Sequence, residues 1–451
     1  MEHLKKEKVV GISFLVIVYG AFIGLVINVG LSVLGISKNV EELPKVSIDY
    51  EKLYPFEAEE TKVEENLSDA NENVGEQTQK AEQEPLLTKS YQNLLNKFSV
   101  YTNKLETYSY AHCPFRNGLI DVWSVMNKIK GDVIIDQEIE IVKLTNDKLS
   151  YVYPELNSNG QAEVLGEFAE ELETEGIDFL YVSCPFKIEA DDKKLPFAVE
   201  DNTNEGVDKF LDELRDENVK VMDLRENIKN QNINYESMFY ITDHHWTTEA
   251  GVWAAGEIAQ YMNDNFEYSF SVDKLSEANW NKQVYPSWYA GSQGKKTGIG
   301  YVKADDFVLL TPKFDTEFDV EILSRNYKNS GTFTETLYDD SQIQEKNYYL
   351  YNLYNGYMYD DNPLTQIHNK SVQNGKRVLI LKDSFALAVI PFFASADGAE
   401  YIDVIDLRWF NGSLKTFMKE NSPDSVIMIY NPGMLTYTEY QDNHNNPWNV
   451  E

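Results

Sequence analysis

The stretch Val378-Leu379-Ile380-Leu381-Lys382-Asp383-Ser384-Phe385 decides how this chain of 451 residues folds. Four apolar residues in a row, closed off by charge, read as a short strand buried on both faces, the kind found in parallel sheets covered by helices. The same signature recurs at residues 177–183, 219–224, 402–405 and 426–429. Val164, Leu165, Phe168 and Leu172 form a helical stripe before the first of these runs, and Phe210 with Leu214 precede the second. Strand, helix, strand in succession predicts an α/β fold with a doubly wound, mostly parallel sheet. Between the two halves, residues 265–372 turn to Tyr, Asn, Asp and Gly with only short alternating runs such as 307–310, which predicts an inserted, partly β region.

In an open parallel sheet, chemistry gathers at the carboxyl ends of the strands. Three such places carry reactive side chains. Ser384 follows its strand directly. Thr242-Asp243-His244-His245-Trp246-Thr247 opens a helix running through Trp253 and Ile258. Tyr430-Asn431-Pro432 closes the last strand. A serine hydroxyl becomes a useful nucleophile when an imidazole takes its proton, and the imidazole needs a carboxylate to fix its tautomer. Asp243 and His245 are two residues apart, so one local turn can bring carboxylate and ring together. A serine at a strand end is commonly just a helix cap, and Asp-x-His arises often by chance. Only their conjunction with the strand-end placement points to a Ser384, His245, Asp243 site. For the oxyanion such a site generates, the backbone N–H of Ser384 is the first donor to consider, with the Asn431 side chain and Arg408, which fits a structural ion pair equally well, as further candidates and Tyr430 and His244 as substrate neighbours.

Composition limits the partners. The chain has a formal net charge of −34 and a pI near 4.5, which excludes nucleic acid as a partner, because phosphate binding needs clustered Lys and Arg. Lys5, Lys6 and Lys8 precede an apolar run over residues 9–36, long enough for the ~20 residues a bilayer requires. Basic residues before that run and Glu41 and Glu42 after it predict a single-pass anchor, with residues 1–8 cytoplasmic and the remainder outside the cell. A cleaved signal peptide would leave the same extracellular domain. Residues 37–87, rich in Glu, Asn and Gln, read as a solvated acidic stalk, and 88–451 as the folded domain. Cys113 and Cys184 each open a Cys-Pro-Phe triplet; outside the cell they could pair, and two buried free thiols explain the same sequence.

Asp243-His244-His245-Trp246 resembles the signature of the DHHW protein family. With Lys382-Asp383-Ser384-Phe385 it is similar to the SGNH-hydrolase-like O-acetyltransferases that modify alginate and other exopolysaccharides, in which an Asp-x-His-Trp motif precedes the serine motif in a circularly permuted order. Lys382 stands where that serine motif usually has glycine. The resemblance implies an SGNH-like domain with Ser384 as nucleophile, His245 as general base, Asp243 as its orienting partner and Trp246 as packing support. It also implies a glycan acceptor and a membrane-bound O-acyltransferase that supplies acyl groups, without cofactor or metal. A plain carbohydrate esterase and a non-catalytic glycan-binding or scaffold subunit remain the alternatives.

Residues 291–297, Gly-Ser-Gln-Gly-Lys-Lys-Thr, have the composition of a phosphate loop without its glycine spacing, and are expected to form a flexible loop on the substrate side. Asp243-His244-His245 also matches the triplet of metal-dependent phosphoesterases, but the upstream Asp and His motifs that such a metal site needs are missing. Tyr349, Tyr351, Tyr354 and Tyr357 could stack on sugar rings, and packing at a sheet edge explains any one of them at least as well.

Overall fold

A strand with no polar break needs apolar cover on both sides, and each central strand here divides its side chains between two cores. Val378 and Ile380 enter one core while Leu379 and Leu381 enter the other; Ile427 and Ile429 alternate with Val426 and Met428, and Leu180 and Val182 with Phe179 and Tyr181. The first core is closed by the helix Thr248–Asn265, through Ala254, Ile258 and Met262. The second is closed by the helices Gln161–Glu175, Thr203–Asp216 and Leu414–Asn421. Val164, expected in the buried stripe of the first of these helices, is instead 40% exposed, and Leu165, Phe168 and Leu172 do the packing.

The computed structural model describes residues 116–136, 141–158, 160–190, 194–437 and 445–451. The anchor at 9–36, the stalk at 37–87 and Cys113 therefore lie outside the described residues. Among those described, no helix is long and apolar enough to cross a membrane, and Cys184 is fully buried.

In chain order, β1 (Ile134–Asp136), β2 (Ile141–Lys143) and β3 (Leu149–Ser150) form a small antiparallel sheet. β4 (Asp178–Ser183) and β5 (Val221–Asp223) follow. β6 (Trp280–Tyr289) and β7 (Asp305–Pro312) pair as an antiparallel ribbon. β8 (Phe318–Ile322), β9 (Tyr327–Gly331), β10 (Leu364–Asn369), β11 (Arg377–Lys382), β12 (Tyr401–Ile405) and β13 (Ser425–Tyr430) complete the set. The large sheet runs β5-β4-β13-β11-β12-β10-β8-β9.

Its first five strands are parallel and coincide with the five apolar runs. The region at 265–372 is indeed partly β, but it is not a separate insertion. β8, β9 and β10 continue the main sheet through antiparallel pairing on β12, so an antiparallel extension is added to the parallel part of the sheet. The alternating burial of β8 and β10 explains why their sequences carry no continuous apolar run.

Candidate active site

β11 ends at Lys382, and the chain turns at once. The Asp383 carboxylate accepts the Phe385 N–H at 2.8 Å and caps the single 3-10 turn Ser384–Ala388. This capping leaves the Ser384 hydroxyl half-buried at the carboxyl edge of the sheet, and among the described residues the Ser384 backbone N–H has no acceptor. On the neighbouring strand end, Asn431 binds the other oxygen of Asp383 through its backbone N–H and its side-chain amide, both at 2.6 Å, while its own carbonyl oxygen accepts the Gly433 N–H at 2.8 Å. Burial pushes the Asp383 carboxyl up, against the opposing pull of Arg408 and the donated N–H groups.

The Asp-His segment is shaped by contacts from other elements. Phe239 and Trp246 form an antiparallel bridge across the turn, and Thr247 caps the following helix by accepting the Ala250 N–H at 3.2 Å. Asp305, at the start of β7, accepts the N–H groups of Ile241 at 2.5 Å and Thr242 at 2.8 Å. Lys187, buried just beyond β4, donates to the backbone carbonyls of Asp243 and, at 2.6 Å, of Leu149. Burial pushes the Lys187 ammonium down to about 7, although Asp305 and Asp243 favour its charge.

These two elements meet. His245 Nε2 lies 2.7 Å from Ser384 Oγ, and His245 Nδ1 lies 3.0 Å from Asp243 Oδ1, bringing together residues 139 positions apart. Asp243 is fully buried. Burial opposes its charge, but His245 and His244 beside it prevail and hold the carboxyl well below its ordinary range. Such an arrangement can carry a proton from a hydroxyl to an imidazole whose far nitrogen is held by a carboxylate.

His244 touches the same carboxylate oxygen, with Nδ1 3.0 Å from Asp243 Oδ1 and 2.9 Å from Ser292 Oγ. Burial, followed by the neighbouring His245, lowers the His244 pKa to about 4, so the ring is neutral near pH 7. Trp246 does more than pack: its Nε1 donates to the Phe385 carbonyl at 2.9 Å and thereby ties the Asp-His segment to the residue after Ser384. Gly251 completes this junction, since a Cβ there would run into the Ala388 carbonyl at the far end of the serine turn.

Several expectations are corrected. Residues 291–297 are not a flexible loop: Ser292–Thr297 is a short helix with Gln293, Gly294 and Thr297 buried, packed on Thr242 and Asp243. Tyr354 and Tyr357 are fully buried and offer no face to a sugar. The Tyr354 ring stacks on His245, with centroids 4.2 Å apart and planes at 15°, and its hydroxyl donates to the Phe385 carbonyl at 2.8 Å. Tyr430 is also buried, and its hydroxyl donates to the Pro447 carbonyl at 2.8 Å. Lys382 is 2% exposed and lies in a network with Asp361, Asp406 and Arg408, where its ammonium is 2.9 Å from Asp406 and Arg408 forks onto Asp406. Arg408 is therefore engaged as an ion-pair partner.

Residues 145–283 match the family ALGX, SGNH hydrolase-like domain, acetyltransferase AlgX. The matched span contains Asp243 through Trp246 and stops short of Ser384. Among solved structures, Bacillus cereus PatB1 with a sulfonyl adduct is similar at a TM-score of 0.56 and 20% identity, covering 70% of this chain and 100% of that chain. A second structure of PatB1 gives 0.52 and 21%, covering 64% and 92%. A DHHW family protein from Eubacterium siraeum gives 0.48 and 18%, covering 64% and 89%. No curated protein matches. The resemblance read from the two short motifs thus recurs in a family match and in the fold shared with PatB1.

Proposed function

We propose that this chain is a membrane-anchored extracellular O-acyltransferase, most simply an O-acetyltransferase, that acts on a cell-surface or exported polysaccharide through an acyl-serine. One observation carries the reading: the unbroken run Ser384 Oγ, His245, Asp243 at 2.7 and 3.0 Å, at the carboxyl edge of the sheet. The match to an acetyltransferase family over 145–283 supports the reaction class, and the apolar run at 9–36 supports the anchor.

In the first half-reaction, Ser384 Oγ attacks the carbonyl carbon of an acyl donor while its proton passes to His245 Nε2. The Ser384 N–H is free to donate to the developing oxyanion. The intermediate collapses, the leaving oxygen takes the proton from His245, and the acyl group stays on Ser384. In the second half, a sugar hydroxyl gives its proton to His245 and attacks the acyl-serine, and Ser384 leaves with that proton. Asp243 keeps the Nδ1–H tautomer throughout and stabilises the imidazolium. A membrane-bound O-acyltransferase is the partner that would supply acyl groups to a site held near the membrane.

The full-length protein, incubated with an acyl ester and candidate oligosaccharides, should yield acylated sugar by mass spectrometry, and Ser384→Ala should abolish it. Since PatB1 has been solved with a sulfonyl adduct, a sulfonyl fluoride is a suitable probe, and it should label Ser384 in a form retained through peptide mapping. Deacylation without transfer would assign an esterase, and glycan binding with neither reaction a scaffold subunit.

A further inference from the structure

The stretch Tyr289-Ala290-Gly291-Ser292 grips both oxygens of the Asp243 carboxylate. Tyr289, fully buried at the end of β6, donates its hydroxyl to Oδ2, and Ser292 donates to Oδ1 at 3.1 Å. Between them, Gly291 lets the backbone pass against the Asp243 side chain, where any Cβ would collide. The Tyr289 ring is itself fixed by edge contacts with Tyr240 and Phe307, at centroid distances of 4.9 and 5.7 Å. The hydroxyl has a second acceptor, Asn352 Oδ1 at 3.1 Å, but only one proton to donate. The charged carboxylate is the stronger acceptor and takes it.

A carboxylate held by one oxygen can pivot about its Cβ–Cγ bond, whereas one held by both cannot. We infer that Tyr289 is a positioning residue for the chemistry at Ser384: its hydroxyl sets the plane of Asp243, so that Oδ1 stays on His245 Nδ1, and it draws charge off the carboxylate. This inference rests on the acyl-serine reading above. It has a consequence that packing alone would not produce. A weaker donor at position 289 leaves more charge on Asp243, favours the imidazolium form of His245 and moves the acid limb of the rate profile to higher pH; a stronger donor moves it to lower pH.

The test uses full-length protein turning over an activated acetyl ester. Tyr289→Phe should lower kcat about 10- to 100-fold, in line with the cost of small misplacements at a reacting centre, with KM unchanged and the acid limb shifted upward. Replacement of Tyr289 by 3-fluorotyrosine keeps shape and packing but makes the hydroxyl a stronger donor, and should shift the limb downward, so the inference stays testable even if the phenylalanine variant fails to fold. Acid limbs unmoved by the fluorinated residue would overturn the inference. Ser384→Ala, run alongside, separates the two levels: turnover that survives it removes the acyl-serine reading itself, whereas turnover lost there but indifferent to position 289 removes only the role of Tyr289.

Discussion

Asp243→Asn is the most discriminating single substitution at this site. In a generic triad an amide in place of the carboxylate turns its NH2 toward the histidine, enforces the wrong tautomer and costs ~10⁴-fold. The surroundings of Asp243 predict something milder. On the Oδ1 side stand three groups able to donate, His245 Nδ1 at 3.0 Å, Ser292 Oγ at 3.1 Å and His244 Nδ1 at 3.0 Å. On the Oδ2 side stands one hydroxyl, Tyr289, which can turn its proton to Asn352 Oδ1 at 3.1 Å and accept instead. The amide should therefore place its oxygen toward His245 and its nitrogen toward Tyr289, so that the working tautomer survives and only the charge is lost. A hydrogen bond to a charged group contributes ~1.5–3 kcal/mol against ~0.5–1.5 for a neutral one. The difference, at most about 2.5 kcal/mol at the bond that strengthens as the imidazolium forms, corresponds to a loss of no more than roughly 70-fold. The assay is kcat/KM on an activated acetyl ester, with ¹⁵N NMR of the histidine side chains to read the tautomer. A loss of ~10⁴-fold, or a His245 ring protonated on Nε2 with Nδ1 bare, would refute the reasoning.

The remaining predictions concern the residues around that carboxylate. His245→Ala should cost ~10³-fold or more, and His244→Ala much less, because only His245 reaches Ser384; a larger loss at His244 would reverse the assignment of the base. His244 has a folded pKa near 4 against an ordinary 6.5, so between these values the unfolded chain binds more protons and stability rises with pH. The full difference is about 3 kcal/mol, so the melting temperature should fall on acidification from pH 6.5 to 4, and fall less in His244→Gln; equal slopes would contradict the linkage. Lys382→Ala leaves Asp361 and Asp406 with Arg408 as their buried counter-charge and should destabilise the protein by ~3–5 kcal/mol in denaturant titration, although a small residue is usual at that place in the resembling serine motif. No step of the proposed reaction passes through a metal, so a chelator should leave turnover unchanged; inhibition by chelation would point back to the phosphoesterase reading of Asp243-His244-His245.

The sequence by itself determined what depends on short range. Runs such as 378–381 and 426–429 are apolar without a break because both of their faces are covered, so the five parallel strands were legible as elements and as neighbours in an α/β sheet. Asp243 and His245 share one turn because they are two residues apart, and Ser384 stands at a strand end because Asp383 caps the turn after β11. The tertiary structure decided the rest. A periodic pattern records that a face is buried but not what buries it, so the strand-end placement and the motif resemblance pointed to a meeting of Ser384 and His245, but only the packing brings them to 2.7 Å across 139 positions and shows that β8 to β10 extend the main sheet. The residues missed at the site share one property: Tyr289, Ser292, Tyr354 and Asp305 are polar groups satisfied by partners distant in the chain. A tyrosine inside a Tyr- and Asn-rich stretch has the same composition whether it faces solvent or stacks on a histidine. Only the packing of β6, of the helix Ser292–Thr297 and of the turn near Tyr354 against the Asp-His segment distinguishes the two, because a hydrogen bond between remote residues leaves no local trace.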